Sequence, residues 1–338
     1  MKITIRDVAR LTNLSTATVS RVLNNKPDVS EEARKTVLGI IEKYNYNPSS
    51  IARGLALKKT NTIGLILPDI TNPFYPELAR GVEMRAKDLG YSVILSDIKN
   101  DHLALVETVS FLQSKQVDGI IITQWSTLFS KELEKIIKES DVPIVSIDRE
   151  GGKSCVDFDD FDSAYRAVSY LVTQGHTKIA HITGDLRTYS AQKRYEGYLQ
   201  CLADNNIEVS KKWVYEGEFT LKSGYAGMTE ILKSPSFPTA IFAANDVIAI
   251  GAYDAIAEHG LSIPDDISIM GHDDISFASI VRPKLTTMNI PRSEMGESCV
   301  NALHALLGKK PKKPEIGTFS SKLCVRDSIK NITSMDTQ

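Results

Sequence analysis

The chain of 338 residues is long enough for two or three well-filled domains. It contains no apolar run of about 18 residues and no charged-then-apolar leader, so we expect neither a membrane-spanning nor an exported protein, but a soluble cytoplasmic one. The net charge of −2 is unevenly divided, because residues 1–60 carry 11 Lys and Arg against 5 Asp and Glu, a net of +6, which leaves −8 for the remainder. Only the first part is therefore suited to approach a polyanion.

Residues 4–24 contain two short helical patterns separated by a break. Thr4 and Asp7 have the spacing of a capping box, and Ser15 can cap a second helix after the interruption at residues 12–14. The apolar face of the first helix consists of Ile5, Val8, Ala9 and Leu11. That of the second consists of Ala17, Val19, Val22 and Leu23. Two short helices joined by a tight turn favour a helix-turn-helix.

The residues outside the second apolar face carry small hydrogen-bonding or methyl groups and one guanidinium. Such groups are suited to contact base edges in a major groove. The candidate DNA-binding residues are Thr16, Ala17, Thr18, Ser20, Arg21 and Asn24. Amphipathic helix pairs also occur in domains that bind no DNA, so the pattern alone leaves both interpretations open.

The complete phrase TIRDVARLTNLSTATVSRVLN is more specific. It resembles the head of the lac repressor (LacI/GalR) family, in which T-I-x-D-V-A and V-S-x-x-T-V-S-R-V-L-N recur. The resemblance implies a homodimeric transcription repressor that binds palindromic operator DNA. Asn13-Leu14 stands where the family usually has Gly-Val, and because asparagine tolerates a left-handed backbone we expect the turn to keep its shape.

A third helix is predicted from a cap at Ser30 to about residue 44, with Val37, Ile40, Ile41 and Tyr44 closing a small core. Asn47-Pro48 then predicts a helix start, although a helix of about two turns is marginal alone. In the family resembled here, the matching segment is a hinge helix that orders on operator DNA and wedges a leucine into the minor groove. Leu55 occupies that position. The alternative is an ordinary linker, and both interpretations place a boundary near residue 60.

From residue 62 onwards apolar strands alternate with amphipathic helices, which is typical of parallel, doubly wound α/β sheets. The predicted strands cover 63–67, 91–95, 118–123, 143–147, 179–183, 214–216, 240–243 and 267–271. The predicted helices cover 77–89, 103–115, 128–139, 163–173, 190–205, 223–232 and 247–259. Two such series in succession predict two lobes with a ligand cleft beyond the carboxyl ends of the strands.

The predicted organisation is a three-helix head over 1–46, a hinge helix and linker over 47–61, and a ligand-binding and dimerisation domain over 62–331. The resemblance implies that this last domain is similar to a periplasmic binding protein and that its chain crosses between lobes three times. Lobe one would comprise about 62–162 and 291–318, and lobe two about 163–290 and 319–331.

Planar polar groups and aromatic rings follow the predicted strands, a combination suited to a small polyhydroxylated ligand. Singly, each such residue more often caps a helix or forms an ion pair. Together they resemble the sugar-binding lobes of the family and of periplasmic ribose-binding proteins, which implies a pentose such as ribose. The candidate ligand-binding residues are Asn72, Phe74, Tyr75, Asp148, Arg149, Ser190, Arg194, Phe219, Asn245, Asp273 and Asn289. Tyr75, His272 and Asn289 depart from the family pattern. Asn289 stands at a position where the family has a glutamine.

The motifs of nucleophile elbows, dinucleotide sites, P-loops and H-E-x-x-H zinc sites are all missing from the sequence, so we expect neither an enzyme nor a cofactor or metal. We predict a homodimeric repressor of double-stranded operator DNA that a sugar-like effector releases. Three alternatives stay open: a periplasmic-type sugar-binding protein, a catabolite-control-type repressor governed by a phosphorylated carrier protein, and a nucleobase-responsive repressor.

Overall fold

The computed structural model describes residues 3–23, 26–46, 59–99, 101–123, 135, 138–147, 156–308 and 317–333. The chain forms two compact units, one ending at Asn61 and one beginning at Thr62. Several predictions lie outside the described residues, namely the hinge helix with Leu55, most of the helix 128–139, Asn24, and the pair Asp148-Arg149. Within the described ranges no helix is both long and apolar enough to cross a membrane.

The head contains three helices, α1 (Ile5–Thr12), α2 (Thr16–Leu23) and α3 (Glu31–Lys43). The predicted capping box is confirmed, because the Thr4 hydroxyl accepts from the Asp7 N–H while the Asp7 carboxylate accepts from the Thr4 N–H at 2.9 Å. The Ser15 hydroxyl accepts from the Thr18 N–H at 3.0 Å and so opens α2 as predicted. Asn13 has a φ of 53°, the left-handed conformation expected at this turn.

The core of the head is built from Val8, Val19, Val22 and Val37, which are fully buried or nearly so. Three predictions for the apolar faces are wrong, since Leu11 is 47% and Tyr44 43% exposed and Ala17 is exposed as well. Helical periodicity explains the first error, because the residue one full turn beyond Val8 is Thr12, which is buried and donates its hydroxyl to the Val8 carbonyl at 2.8 Å. Tyr46, beyond the end of α3, packs against the core instead.

The second unit contains two four-stranded parallel sheets. The first sheet comprises β1 (Thr62–Leu67), β2 (Ser92–Asp97), β3 (Gly119–Ile122) and β4 (Ile144–Ser146), in the order β2-β1-β3-β4. Next along the chain is β5 (Val156–Phe158). The second sheet comprises β6 (Ile179–Ile182), β7 (Val214–Tyr215), β8 (Ala240–Ala243) and β9 (Ser268–Met270), in the order β7-β6-β8-β9. The eight predicted strands and the parallel arrangement are thereby confirmed.

Helices flank both sheets. They are α4 (Phe74–Asp88), α5 (His102–Ser114), α6 (Asp160–Thr173), α7 (Tyr189–Asp204), α8 (Leu221–Leu232), α9 (Asp246–Glu258) and α10 (Arg292–Leu307). Alternation along β1 sends Leu65 and Leu67 into one core and Ile66 into the other, so this strand is covered on both faces. Each sheet is therefore the middle layer of its own lobe.

The described residues form three further short strands, β10 (Thr287–Asn289), β11 (Gly317–Phe319) and β12 (Lys322–Cys324). β11 pairs in parallel with β5 beside the first sheet, and β10 pairs antiparallel with β12 beside the second. The chain consequently passes between the lobes directly after β5, after β10 and after β11. These crossings bring α6 and α10 to the place where the lobes meet.

Candidate effector cleft and DNA-binding helix

The exposed side of α2 carries the predicted base-reading residues. Thr16, Ala17 and Arg21 are exposed, as a readout role requires. Arg21 forms an ion pair with Asp28, and both side chains remain about half exposed. The Thr18 hydroxyl lies 2.9 Å from the Ser15 hydroxyl, so it belongs to the cap of the helix.

The carboxyl ends of both parallel sheets open into one cleft between the lobes, with about 540 Å³ of empty space, part of it open to solvent. Parallel strands of one sheet end at the same edge, and this explains why residues far apart in sequence meet here. Eight of the predicted ligand residues line the cleft: Asn72, Phe74, Tyr75, Ser190, Arg194, Phe219, Asn245 and Asp273. Among the described residues, the cleft is also lined by Thr123, Ile147, Phe158, Asp160, Ile290 and Met295.

Arg194 is the central cation of the cleft and is almost fully buried. Its Nε donates to Asp160 Oδ1 at 2.7 Å, and its Nη1 donates to the Ala244 carbonyl at 2.7 Å and to Asp273 Oδ1 at 3.4 Å. The guanidinium also lies 5.8 Å from the centre of the Phe219 ring. Two carboxylates and a carbonyl thus fix this side chain before any ligand enters.

Burial sets the ionisation of these groups. It raises the pKa of Asp160, an effect that the adjacent Arg194 guanidinium only partly offsets. Burial alone would lower the pKa of Arg194, but the carboxylates of Asp160 and Asp273 outweigh it and leave that pKa raised. Arg194 is therefore a permanent cation that can face an oxygen-rich ligand.

Two amides combine a structural role with access to the cleft. Asn245 Oδ1 accepts from the Ile248 N–H at 2.9 Å and so caps α9, the commoner role expected for this residue. Asn72 Oδ1 accepts from the Phe74 N–H at 3.1 Å in the turn before α4. In both residues the amide oxygen is engaged by the backbone, which holds the side chain in one orientation at the cleft wall.

Of the predicted ligand residues that the structure describes, Asn289 does not line the cleft. Its Nδ2 donates to Asp274 Oδ2 at 2.9 Å, on the side away from the ligand space. Ile290 lines the cleft instead, because neighbouring residues of an extended chain point to opposite sides. This part of the wall is therefore apolar.

Sequence reasoning missed Asp160 and Phe158, which lie at the first crossing between the lobes. The strand that ends at Phe158 is only three residues long and was not predicted, and Asp160 is the first residue of the helix that follows it. An available signal was the pattern of apolar residues followed by Asp159-Asp160 at the start of a helix, since the same arrangement identified Asn245.

A helix-turn-helix unit in one chain with a two-lobed ligand-binding body defines a ligand-regulated DNA-binding protein. Residues 4–49 match the family of bacterial regulatory proteins called the lacI family. Residues 60–316 match the family of periplasmic binding proteins and the sugar-binding domain of the LacI family. The chain belongs to the LacI family of DNA-binding transcriptional repressors.

Curated relatives with different physiological roles are comparably similar. The chain is 38% identical over 303 residues to the ribose operon repressor of Haemophilus influenzae, covering 89% of this chain and 90% of that protein. It is 36% identical over 334 residues to catabolite control protein A of Priestia megaterium, covering 98% and 100%. It is 33% identical over 333 residues to the transcriptional repressor PurR of Mannheimia succiniciproducens, covering 97% and 99%. Overall identity therefore does not select one effector.

Among solved structures, the lac repressor dimer bound to operator and an anti-inducer matches with a TM-score of 0.88 and 29% identity. The match covers 98% of this chain and 100% of that one. The predicted family, fold class and absence of an enzymatic role agree with these relatives, all of which are transcription regulators.

Proposed function

We propose that this cytoplasmic repressor binds a palindromic operator as a homodimer and is released from it by a small polyhydroxylated effector, most simply a pentose such as ribose, in the cleft between the lobes. The observation that carries the proposal is the set of side chains at the strand ends, in which Asn72 and Tyr75 of lobe one face Arg194 and Asp273 of lobe two across one cavity.

The chemistry of the wall supports a sugar-sized ligand. The carboxylate of Asp273 accepts hydrogen bonds from hydroxyl groups, while Arg194 and the amides of Asn72 and Asn245 donate to ligand oxygens. Aromatic rings on both lobes can cover the C–H faces of a sugar ring. The ring of Phe74 lies 5.1 Å from that of Tyr75, nearly perpendicular to it.

Effector control requires a coupling between the cleft and the operator-binding head. A ligand that contacts both lobes stabilises one lobe arrangement over others, and it can shift the operator affinity only by that difference. About 1.4 kcal/mol of differential binding suffices for a tenfold change. We infer that the arrangement favoured by the effector is the one with lower operator affinity.

Dimer formation has support on the surface of lobe two. Leu221, Phe277 and Ile280 are large apolar residues that are about half exposed or more, with Ile280 at 62%. Exposed apolar side chains such as these are available to be buried by a second copy of the chain. A symmetric pair of heads is also what a palindromic operator requires.

A nucleobase effector is the second candidate, because the aromatic rings and the apolar wall at Ile290 also suit a flat heterocycle and because PurR proteins are among the relatives. Thermal-shift measurements on the full chain with D-ribose, D-ribose 5-phosphate, hypoxanthine and guanine separate these ligands. A compound at 100 times its dissociation constant adds about 2.7 kcal/mol of stability. We expect D-ribose to raise the midpoint; a shift with purines alone would contradict the pentose proposal.

The catabolite-control alternative predicts that a phosphorylated carrier protein, and no sugar, changes operator affinity. An electrophoretic mobility assay with the carrier protein and with D-ribose in parallel distinguishes the two. Weaker operator binding with D-ribose is the expected result. Tighter binding with D-ribose would overturn the proposed release.

Operator recognition is tested at Arg21, for which we propose a bidentate contact to guanine in each half-site. Selection from a palindromic duplex library at low ionic strength first identifies the operator. Arg21→Ala should then cost about 1–3 kcal/mol and relax selection at one base pair per half-site. Arg10→Ala removes the same charge from the exposed face of α1 and is the matched control. Equal loss across all sequences would show that Arg21 contacts phosphate only.

A further inference from the structure

His272 lies two residues beyond β9, and its side chain is completely buried. Its Nδ1 is 3.2 Å from Asp273 Oδ1, and its Nε2 is 2.7 Å from the hydroxyl of Ser163 in the first turn of α6. The ring of Phe158 contacts the imidazole edge to face at 6.3 Å. The imidazole thus bridges a helix that starts at the first crossing and a carboxylate that lines the cleft.

The partners of the two ring nitrogens determine where the proton lies. An ionised carboxylate can only accept, so Nδ1 carries the hydrogen and donates it to Asp273. Nε2 then accepts from the Ser163 hydroxyl. Burial, together with the nearby Arg194 guanidinium, lowers the pKa of His272 to about 4, so the ring is neutral at neutral pH. Both nitrogens are satisfied by this single tautomer.

The carboxylate at the end of this relay is held in an unusual conformation. Asp273 has a φ of 114°, a conformation that costs free energy for a residue with a side chain. Arg292 donates to the backbone carbonyls of Asp273 and Asp274, and it also pairs with Glu77 of α4 at 2.6 Å. These contacts therefore hold the backbone of Asp273 in this conformation, which fixes the position from which its side chain extends.

The two carboxylate oxygens of Asp273 are not equivalent. Oδ1 accepts from Arg194 Nη1 at 3.4 Å and from His272 Nδ1 at 3.2 Å. Within the described part of the chain, no side-chain or backbone group donates to Oδ2. Because Asp273 lines the cleft, the oxygen left over is the one that can accept from a ligand.

We propose that His272 is a positioning residue for effector binding, which orients the Asp273 carboxylate through Nδ1 so that Oδ2 accepts a hydroxyl or N–H of the ligand, while Ser163 holds the imidazole. This inference rests on the proposed effector site in the cleft and names the part of it that selects a hydrogen-bond donor. The hydrogen-bonded series Ser163, His272 and Asp273 resembles the serine-histidine-aspartate triad of hydrolases. Ser163 is buried and does not line the cleft, so it cannot attack a ligand, and the relay positions without catalysing.

Two neutral variants of similar size separate the two ends of the relay. In His272→Asn the side-chain amide lies near the position of Nδ1 and retains a donor for Asp273. In His272→Gln the amide lies near the position of Nε2 and retains a partner for Ser163 alone. A general packing role would affect both variants alike, whereas positioning of the carboxylate distinguishes them.

The binding test uses isothermal titration of the full chain with D-ribose and with hypoxanthine, together with the thermal midpoint of each variant. We expect His272→Asn to bind the active compound within about twofold of wild type and His272→Gln to bind it about three- to tenfold more weakly, the range for one lost orienting hydrogen bond. His176→Asn is the matched control, since His176 is another buried histidine, bonded to Thr239 and the Lys330 carbonyl rather than to a cleft residue. Its affinity should equal that of wild type.

Equal weakening in the Asn and Gln variants, or affinity that follows the thermal midpoint across the series, would overturn the proposal. If wild type binds neither compound, the pentose and purine proposals fail, and the relay is judged by nitrogen NMR of the ligand-free protein. A proton on Nδ1 of His272, with a shift of the Nε2 resonance in Ser163→Ala, supports the relay. A proton on Nε2 overturns it.

Discussion

We predict that protonation of the buried His181 destabilises the second unit at acid pH. Its ring on β6 stacks on Phe242 of the neighbouring strand, with ring centres 4.9 Å apart and planes 7° apart, and on Tyr198 of α7 at 4.9 Å. Nδ1 donates to the Phe242 carbonyl at 2.8 Å, and Nε2 has no hydrogen-bond partner among the described residues. A proton added to Nε2 would therefore place an unpaired charge in an apolar core.

The size of the effect follows from proton linkage. Burial lowers the pKa of His181 from 6.5 to about 4, so the unfolded chain binds a proton that the folded chain rejects between these values. The associated stability is fully present above about pH 6.5 and is lost as the pH falls through about 4. Between pH 7 and pH 4.5 this loss amounts to about 2 kcal/mol.

The perturbation is His181→Phe, which keeps an aromatic ring in the stack and removes the titration. Loss of the bond to the Phe242 carbonyl should lower the free energy of unfolding by about 1 kcal/mol at pH 7. Urea unfolding of wild type and variant at pH 7 and pH 4.5 measures the pH difference for each. We expect that difference to be about 2 kcal/mol smaller in the variant.

The pH difference of the variant must be compared with that of wild type, because other buried groups change the free energy of unfolding with pH in the opposite direction. Burial raises the pKa of Asp246, so its contribution is present below pH 3.8 and is lost as the pH rises. The control His259→Gln alters an exposed histidine at the end of α9 and should leave the pH difference unchanged. The same pH difference in wild type and His181→Phe would refute the assignment of acid sensitivity to this ring.

Two further predictions concern buried contacts. Arg194→Ala leaves two buried carboxylates without their cation, so we expect a loss of about 3–5 kcal/mol in urea unfolding at pH 7, together with loss of effector binding; unchanged stability would show that the ion pair is solvated. Gly81→Ala would place a methyl group 2.1 Å from the Ser293 carbonyl oxygen and force α4 away from α10. We expect a lowered thermal midpoint, whereas the control Gly39→Ala, on an open face of α3, should stabilise by up to about 1 kcal/mol. Equal effects of the two substitutions would contradict the packing argument.

Local interactions made much of this protein predictable from its sequence. The cap of α1 joins Thr4 to a residue only three positions away, and that of α3 likewise joins Ser30 to Ala33, so the spacing itself contains the information. The inner strands of both sheets, β1 and β3 in the first and β6 and β8 in the second, are buried on two faces and therefore appear as continuous apolar runs. The family phrase at the head and the alternation of strands and helices consequently indicated both the class of protein and the edge of the sheets at which to search for ligand residues.

The tertiary structure decided which side chains reach the cleft. Asn289 and Ile290 are neighbours, and only the pairing of β10 with β12 determines that the isoleucine faces the ligand space while the amide faces Asp274. Asp160 meets Arg194 across 34 positions of sequence, and Ser163 meets His272 across 109. Contacts over such separations depend on how whole helices and sheets pack, and no local spacing in the sequence encodes them. Sequence patterns alone therefore determined the architecture, whereas the tertiary packing determined which side chains form the site.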